Sequence, residues 1–291
     1  MNNYRIFTDS TADLPESFIK DNNLGIFSLS YTIDDVTYGG TGEDMPVKEF
    51  YSRMRNGSMP ITSQVNPEVY LEEFTKVFEE SDDDILYIAF SSGLSGSYNS
   101  SMIAKNELQE KYPDRKLIII DSLCASLGEG LLVYKSIMLK NAGKTIDENA
   151  KWVEENKLNI GHNFTVDDLN HLSRGGRLSK VAAIFGTMAS IKPMLIVDKE
   201  GHLTVAGKVR GRKKSLISLV DSMENQIGNR RDKNDIVFIS HGDCVEDAEF
   251  VAGLVKERFG ITKFMINDIG PTIGSHAGPG TVALFYESEI R

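Results

Sequence analysis

Apolar residues along this chain fall into two rhythms: short unbroken runs, and longer stretches in which one side is apolar every three or four positions. Their alternation predicts an α/β protein. The clearest run is Ile85–Phe90, with the length and composition of a buried strand, and it passes at once into Ser91-Ser92-Gly93-Leu94-Ser95-Gly96. From Ser97 the pattern turns helical through Met102, Ile103 and Leu108. A strand that ends in a Ser/Gly turn and opens a helix leaves backbone N–H groups without intrahelical partners. With the helix dipole and nearby hydroxyls, those donors suit a negatively charged or strongly polar group at the carboxyl end of the strand.

Around this centre, strands are predicted at Arg5–Thr8, Ile26–Ile33 and Lys116–Asp121. Helices are predicted at Pro15–Lys20, Pro46–Arg55, Pro67–Glu80, about Ala125–Lys140 and Thr145–Glu155. The alternation fits a mostly parallel sheet with helices on both faces. Near Lys157–Ile160 the rhythm changes, which predicts domains at 1–157 and 158–291. The second part reads as a strand at His162–Val166, a short helix at Asp167–Ser173, and an apolar helix at Val181–Ile191 closed by Pro193. Next come a hairpin of Met194–Asp198 with His202–Val209 and a helix running to about Ile227. Strands at Ile236–Ser240, Lys263–Ile269 and Thr281–Tyr286, with a helix at Glu246–Phe259, complete the chain. A hairpin beside helices predicts a mixed-sheet α/β domain.

Composition narrows the class. With 291 residues, 41% hydrophobic and 25% charged, the chain reads as a soluble globular protein large enough for two cores. A net charge of −10 argues against nucleic acid as a partner. Cys124 and Cys244 form no CxxC, no basic n-region precedes the first strand, and no apolar run approaches the ~20 residues that span a bilayer. A cytoplasmic protein without a membrane-spanning segment is expected.

The candidate chemistry begins with Gly93-Leu94-Ser95-Gly96-Ser97, which approximates the G-x-S-x-G nucleophile elbow but has Ser97 at the last position. A serine esterase or thioesterase using Ser95 and His276 is the alternative it raises. No phosphate-binding loop, no dinucleotide fingerprint and no metal-ligand spacing occurs, so neither a cofactor nor a metal is expected. Met59–Pro67 packs Thr62, Ser63, Gln64 and Asn66 between two prolines. It reads either as the lining of a polar pocket or as an ordinary loop capping the next helix. Asp9 and Ser10 read as turn and cap residues. Gly128 and Gly130, inside a broad apolar helix, require a close neighbour, with core packing the simplest account.

Several motifs together resemble one family. T-D-S-T-A-D-L-P (Thr8–Pro15), T-S-Q-x-x-P (Thr62–Pro67), S-S-G-L-S-G-S-Y (Ser91–Tyr98), R-G-G-R-L-S-K (Arg174–Lys180), Lys192-Pro193, Val209-Arg210 and G-S-H-x-G-P-G (Gly274–Gly280) occur in the order found in the DegV family. Val65-Asn66 before Pro67 departs from relatives that have Pro directly after the Gln. The resemblance implies a two-domain α/β protein that binds a long-chain fatty acid, such as palmitate, between its domains and has no catalytic residues of its own. It implies that Thr62 and Ser95 hydrogen-bond the carboxylate, with Ser63, Ser92, Ser97 and His276 as neighbours. It also implies that Arg174, Arg177 and Arg210 face a partner, the catalytic subunit of a fatty acid kinase, or the phosphate that partner transfers. An apolar tunnel walled partly by Leu127, Leu131, Ile184, Phe185 and Met188 is expected for the tail.

Overall fold

The structure, a computed structural model, describes residues 3–178 and 190–291. Three sheets organise it. The first is parallel throughout, in the order β2 (Gly25–Phe27), β1 (Tyr4–Asp9), β6 (Asp84–Ala89), β7 (Leu117–Asp121). Every residue of β6 is buried, as expected of a central parallel strand covered on both faces. The second sheet is mixed and has six strands, in the order β10 (Leu203–Arg210), β9 (Ile191–Val197), β8 (Ile160–Thr165), β13 (Val282–Glu287), β11 (Val237–His241), β12 (Phe264–Asp268). Only the β11–β12 pair is parallel. A small antiparallel sheet, β4 (Val36–Gly39), β3 (Ser30–Ile33), β5 (Ile61–Ser63), flanks the first.

The helices are α1 (Glu16–Asp21), α2 (Val47–Arg55), α3 (Pro67–Glu80), α4 (Ser97–Lys111), α5 (Leu127–Asn141), α6 (Ile146–Asn156), α7 (Asn170–Arg174), α8 (Arg212–Ile227), α9 (Val245–Phe259) and α10 (Pro271–Ala277). Pro67 at the first turn fixes the start of α3, and a Thr145/Glu148 capping box starts α6. The glycines of α5 have the close neighbours their position demands. A Cβ on Gly128 would lie 2.1 Å from the His162 ring nitrogen, and one on Gly130 would lie 2.7 Å from the Ala12 carbonyl oxygen. Helix α5 thereby packs between the sheets, and its Leu127, Leu131 and Leu132 join one core with Ile6, Leu86, Phe164 and Phe285.

Several expectations need correction. The run at Ile26–Ile33 is two strands in two sheets: after β2 the chain turns at Ser28-Leu29, where the Leu29 N–H donates to Ser10 Oγ at 3.1 Å, and re-enters as β3. The polar segment Ile61–Ser63 is an edge strand, with Thr62 opposite Tyr31. The glycine-rich stretch before Thr281 contains α10. Ile191 begins β9 and does not end a helix, while positions 181–189 of that expected helix, with Ile184, Phe185 and Met188, lie outside the described residues. Pro193 is accommodated inside β9 because pairing with β8 is confined to Leu195 and Ile196, leaving its missing donor uncalled for on that side.

Candidate functional site

The two larger sheets face one another across a narrow cavity, about 80 Å³ as measured by the space open to the centre of a water molecule. Side chains two apart on a strand share a face, so the second sheet presents His162 and Phe164 from β8, Ala283 and Phe285 from β13, Val197 from β9 and Leu203 from β10. The opposite wall is built from the loops at the carboxyl ends of β6 and β7: Phe90, Leu94 and Ser95 from one, Ala125 and Ser126 from the other. Ile273 and Ala277 of α10, and Leu172 of α7, close a third side. Hairpin and turn are tied together: Ser91 Oγ donates to the Gly201 carbonyl at 2.9 Å, and a Cβ on Gly93 would come within 3.0 Å of the Glu200 oxygen.

Polar lining atoms gather where β5, the Ser/Gly turn and α10 meet. Thr62 Oγ1 and His276 Nε2 are 2.8 Å apart. Ser95 Oγ lies 3.0 Å from Ser97 Oγ and accepts from the Ser97 N–H at 3.2 Å, while Ser97 Oγ accepts from the Val65 N–H. Gln64, also in the lining, donates to Ser100 Oγ at 3.0 Å, and a Cβ on Gly96 would fall 2.0 Å from its amide oxygen. Arg177 completes this end, its guanidinium donating to the carbonyls of Leu94 (3.1 Å) and Gly175 (2.7 Å).

Burial, with the charges of Arg177 and Arg174 nearby, pulls His276 down to about 4, so its imidazole is neutral at ordinary pH. Its Nδ1 is buried without a hydrogen-bond partner and lies where a Gly175 side chain would stand: a Cβ there would be 2.0 Å away. An esterase needs a histidine that takes the serine proton and is itself held by an acid. Here His276 engages Thr62, Ser95 engages Ser97, and among the described residues His276 Nδ1 has no hydrogen-bond partner, so the relay that the elbow motif calls for is not assembled in this arrangement. His162 is also held neutral, chiefly by burial; its Nδ1 pairs with the Ile160 carbonyl and its Nε2 accepts from the Ala125 N–H.

Thr62, Ser63, Ser95, His276 and Arg177 therefore come together, with Ser97 one hydrogen bond behind. Ser92 does not: it is exposed, and its N–H donates to Asp121. Arg174, at the end of α7, is close enough to His276 to depress it and engages His171 at 3.2 Å. Arg210 sits exposed at the far end of β10 from Leu203 and is outside the lining. Leu127 and Leu131 belong to the core and do not wall the cavity. The pairs 162/164 and 283/285 form much of the lining; a period-two pattern marks the first in the sequence, but β13, Val282–Glu287, is apolar on both faces and carries no such signal.

A model of the family described as "Uncharacterised protein, DegV family" matches residues 3–289. The chain belongs to the DegV family. A DegV domain-containing protein of Clostridium perfringens is 47% identical over 292 residues, covering 100% of this chain and 99% of the relative. Among solved structures, a stearic acid-binding protein from Eubacterium ventriosum superposes with a TM-score of 0.88 at 26% identity, with 98% of each chain covered. A fatty-acid-binding DegV family protein from Thermus thermophilus gives 0.86 at 26%, covering 98% of this chain and 99% of its own. Among the described residues, no helix is long and apolar enough to cross a membrane, and no group of three His, Cys, Asp or Glu could hold a metal ion.

Proposed function

We propose that this DegV family protein binds a long-chain fatty acid in the cavity between its two large sheets, with the carboxylate at Thr62 and Ser95 and the tail along β8 and β13. The observation that carries the reading is the make-up of the lining: hydroxyls, an imidazole and one guanidinium where β5, the Ser/Gly turn and α10 meet, and mostly apolar side chains elsewhere, with Ser126, His162, Thr272 and Thr281 among them. A bare carboxylate would be prohibitively unfavourable in such a slot, whereas hydroxyl donors and a nearby cation offset its desolvation. The tail supplies most of the affinity. At ~0.8 kcal/mol per buried methylene, fourteen give about 11 kcal/mol before the costs of association. The fatty-acid-binding structural relatives support the same ligand class.

The reading extends to presentation of the acid, in the cytoplasm, to a fatty acid kinase that phosphorylates its carboxylate. Arg177 beside the polar end, with Arg174 behind it, supports a site where charge developing in transfer meets fixed cations. Arg210, exposed on β10, is the natural candidate for contact with that partner. Native mass spectrometry of protein purified from cells tests the ligand: a mass increment equal to a long-chain acid is expected, and a short acid or none overturns the reading. Thr62→Ala and Ser95→Ala should each weaken acid binding by about 1–3 kcal/mol, the worth of a buried hydrogen bond to a charge; unchanged affinity in both places the head elsewhere.

A further inference from the structure

The T-D-S-T-A-D segment, read from sequence as turn and cap, contains a carboxylate placed to govern the cavity's shape. Asp13 is 6% exposed and follows the 3-10 turn Ser10–Ala12 that ends β1. One of its oxygens accepts from Ser126 Oγ at 2.5 Å, and the other accepts from the Gly270 N–H at 2.9 Å. Its own carbonyl accepts from Asn267 Nδ2 at 2.8 Å. Ser126 Oγ is in turn 2.8 Å from Ser240 Oγ on β11. One side chain thus joins the residue before α5 to the residue before α10, and through Ser126 reaches the second sheet. Those two residues open on different walls: Ser126 lines the cavity itself, and Gly270 starts the helix that carries Ile273, His276 and Ala277 into it.

The backbone at this junction is out of its ordinary range. Ser126 has φ 54° and ψ −147°, a region that essentially only glycine occupies, and Asp13 itself has φ 51°. A serine stays there, at a cost of order 1–3 kcal/mol, only while its surroundings hold it. The Asp13 bond is the side-chain contact that does so, with Ser240 behind it. A capping serine would have turned its hydroxyl to its own helix; Ser126 makes no such bond.

We propose that Asp13 is a positioning residue for the ligand site, clasping the starts of α5 and α10 so that the walls bearing Ser126 and His276 keep the spacing that acid binding requires. The inference rests on the fatty-acid reading for its functional readout, and on hydrogen exchange for one that does not need it. Asp13→Ala should weaken the binding of palmitate about tenfold and speed amide exchange in α10 and at the start of α5. Asp13→Asn can keep both contacts, its oxygen accepting from Gly270 and its amide donating to Ser126, and should restore affinity and exchange to within twofold of the natural chain. Leu132→Ala, buried in the core and absent from the lining, is a control for destabilisation as such and should leave affinity unchanged.

If Asp13→Ala does not fold, Ser126→Ala removes the same bond from the other partner and should give the same pair of effects. Equal affinity and equal exchange in Asp13→Ala and the natural chain overturn the clasp, as does failure of Asp13→Asn to rescue. A natural chain that binds no fatty acid, yet shows faster α10 exchange in Asp13→Ala, overturns the ligand reading and leaves the clasp standing.

Discussion

Replacing Gly175 by alanine tests how the polar end of the cavity is held. Gly175 follows α7 with φ −72°, a conformation alanine adopts freely, so nothing in the backbone opposes the change. The obstacle is His276: the new methyl would lie 2.0 Å from Nδ1 and 2.9 Å from Cε1. Contact at that distance forces the ring aside by more than an ångström, and its 2.8 Å bond to Thr62 breaks. Overpacking of this kind costs roughly 1–3 kcal/mol of stability. The lost bond, worth about 0.5–1.5 kcal/mol, should appear as a two- to tenfold loss of fatty-acid affinity because Thr62 is no longer oriented. Its neighbour supplies the control. Gly176 has φ +69° and nothing within 4 Å of the place a methyl would occupy, so Gly176→Ala costs about 1–2 kcal/mol of backbone strain without touching His276.

Stability alone does not separate the two variants; affinity does. Denaturant titration and a fluorescent fatty-acid displacement assay, run on both, give the comparison. In a His276→Ala background the obstacle is gone, and Gly175→Ala should become neutral or stabilise by up to about 1 kcal/mol. Equal affinities in Gly175→Ala and Gly176→Ala, or an undiminished penalty in the His276→Ala background, would refute the reasoning.

Two further outcomes follow from the buried groups. Burial pushes Asp13 up to about 7 and raises Asp9 and Glu129 as well, so the folded state holds protons that the unfolded chain releases near pH 4. For Asp13 and Asp9 the stabilising effect is full below about pH 4 and is lost as pH rises through about 7. Denaturation midpoints should therefore fall between pH 5.5 and 8.5, and the stability gained by Asp13→Asn should be about 1–3 kcal/mol larger at pH 8.5 than at pH 5.5; a gap between the two proteins that is the same at both pH values contradicts this. Ala283, in the apolar lining on β13, has a methyl where Leu would add three carbons. Ala283→Leu should shift the bound acid, read by native mass spectrometry, roughly three methylenes shorter, and an unshifted mass would show that the tail runs elsewhere.

Much of the scaffold is written in local pattern. The run at Ile85–Phe90 and the Asn-Pro start of α3 carry their structure in adjacent residues, and β6 and α3 fall where expected. The misread elements depend on distant partners. Ser28-Leu29 breaks a strand-like stretch because Ser10 takes its amide and the chain changes sheet, and Ile61–Ser63 becomes a strand only by pairing with β3. Helix α10 overrides glycine's poor propensity through packing so close that a Cβ on Gly274 would be 2.6 Å from the Tyr51 hydroxyl. That Thr62, Ser95 and His276 lie in one cavity was legible only by resemblance to a family, since no spacing rule links positions 62, 95 and 276. Asp13 and Ser126, 113 positions apart, have no local pattern that links them. What sets them apart is burial, which no local pattern reports.

The two neutral imidazoles give the slot a direction. Among the described residues, Arg177 is the single fixed cation in its lining, and its guanidinium is already anchored by two backbone oxygens. His162, beside Phe285, spends both ring nitrogens on the backbone and so offers an entering molecule neither charge nor donor. On the proposed fatty-acid reading, a chain with one acidic terminus is satisfied in one orientation, and a second acidic terminus would lie away from Arg177 in a mostly apolar lining. That reading therefore expects a preference for monoacids over diacids, set by where the protein leaves its nitrogen atoms unspent.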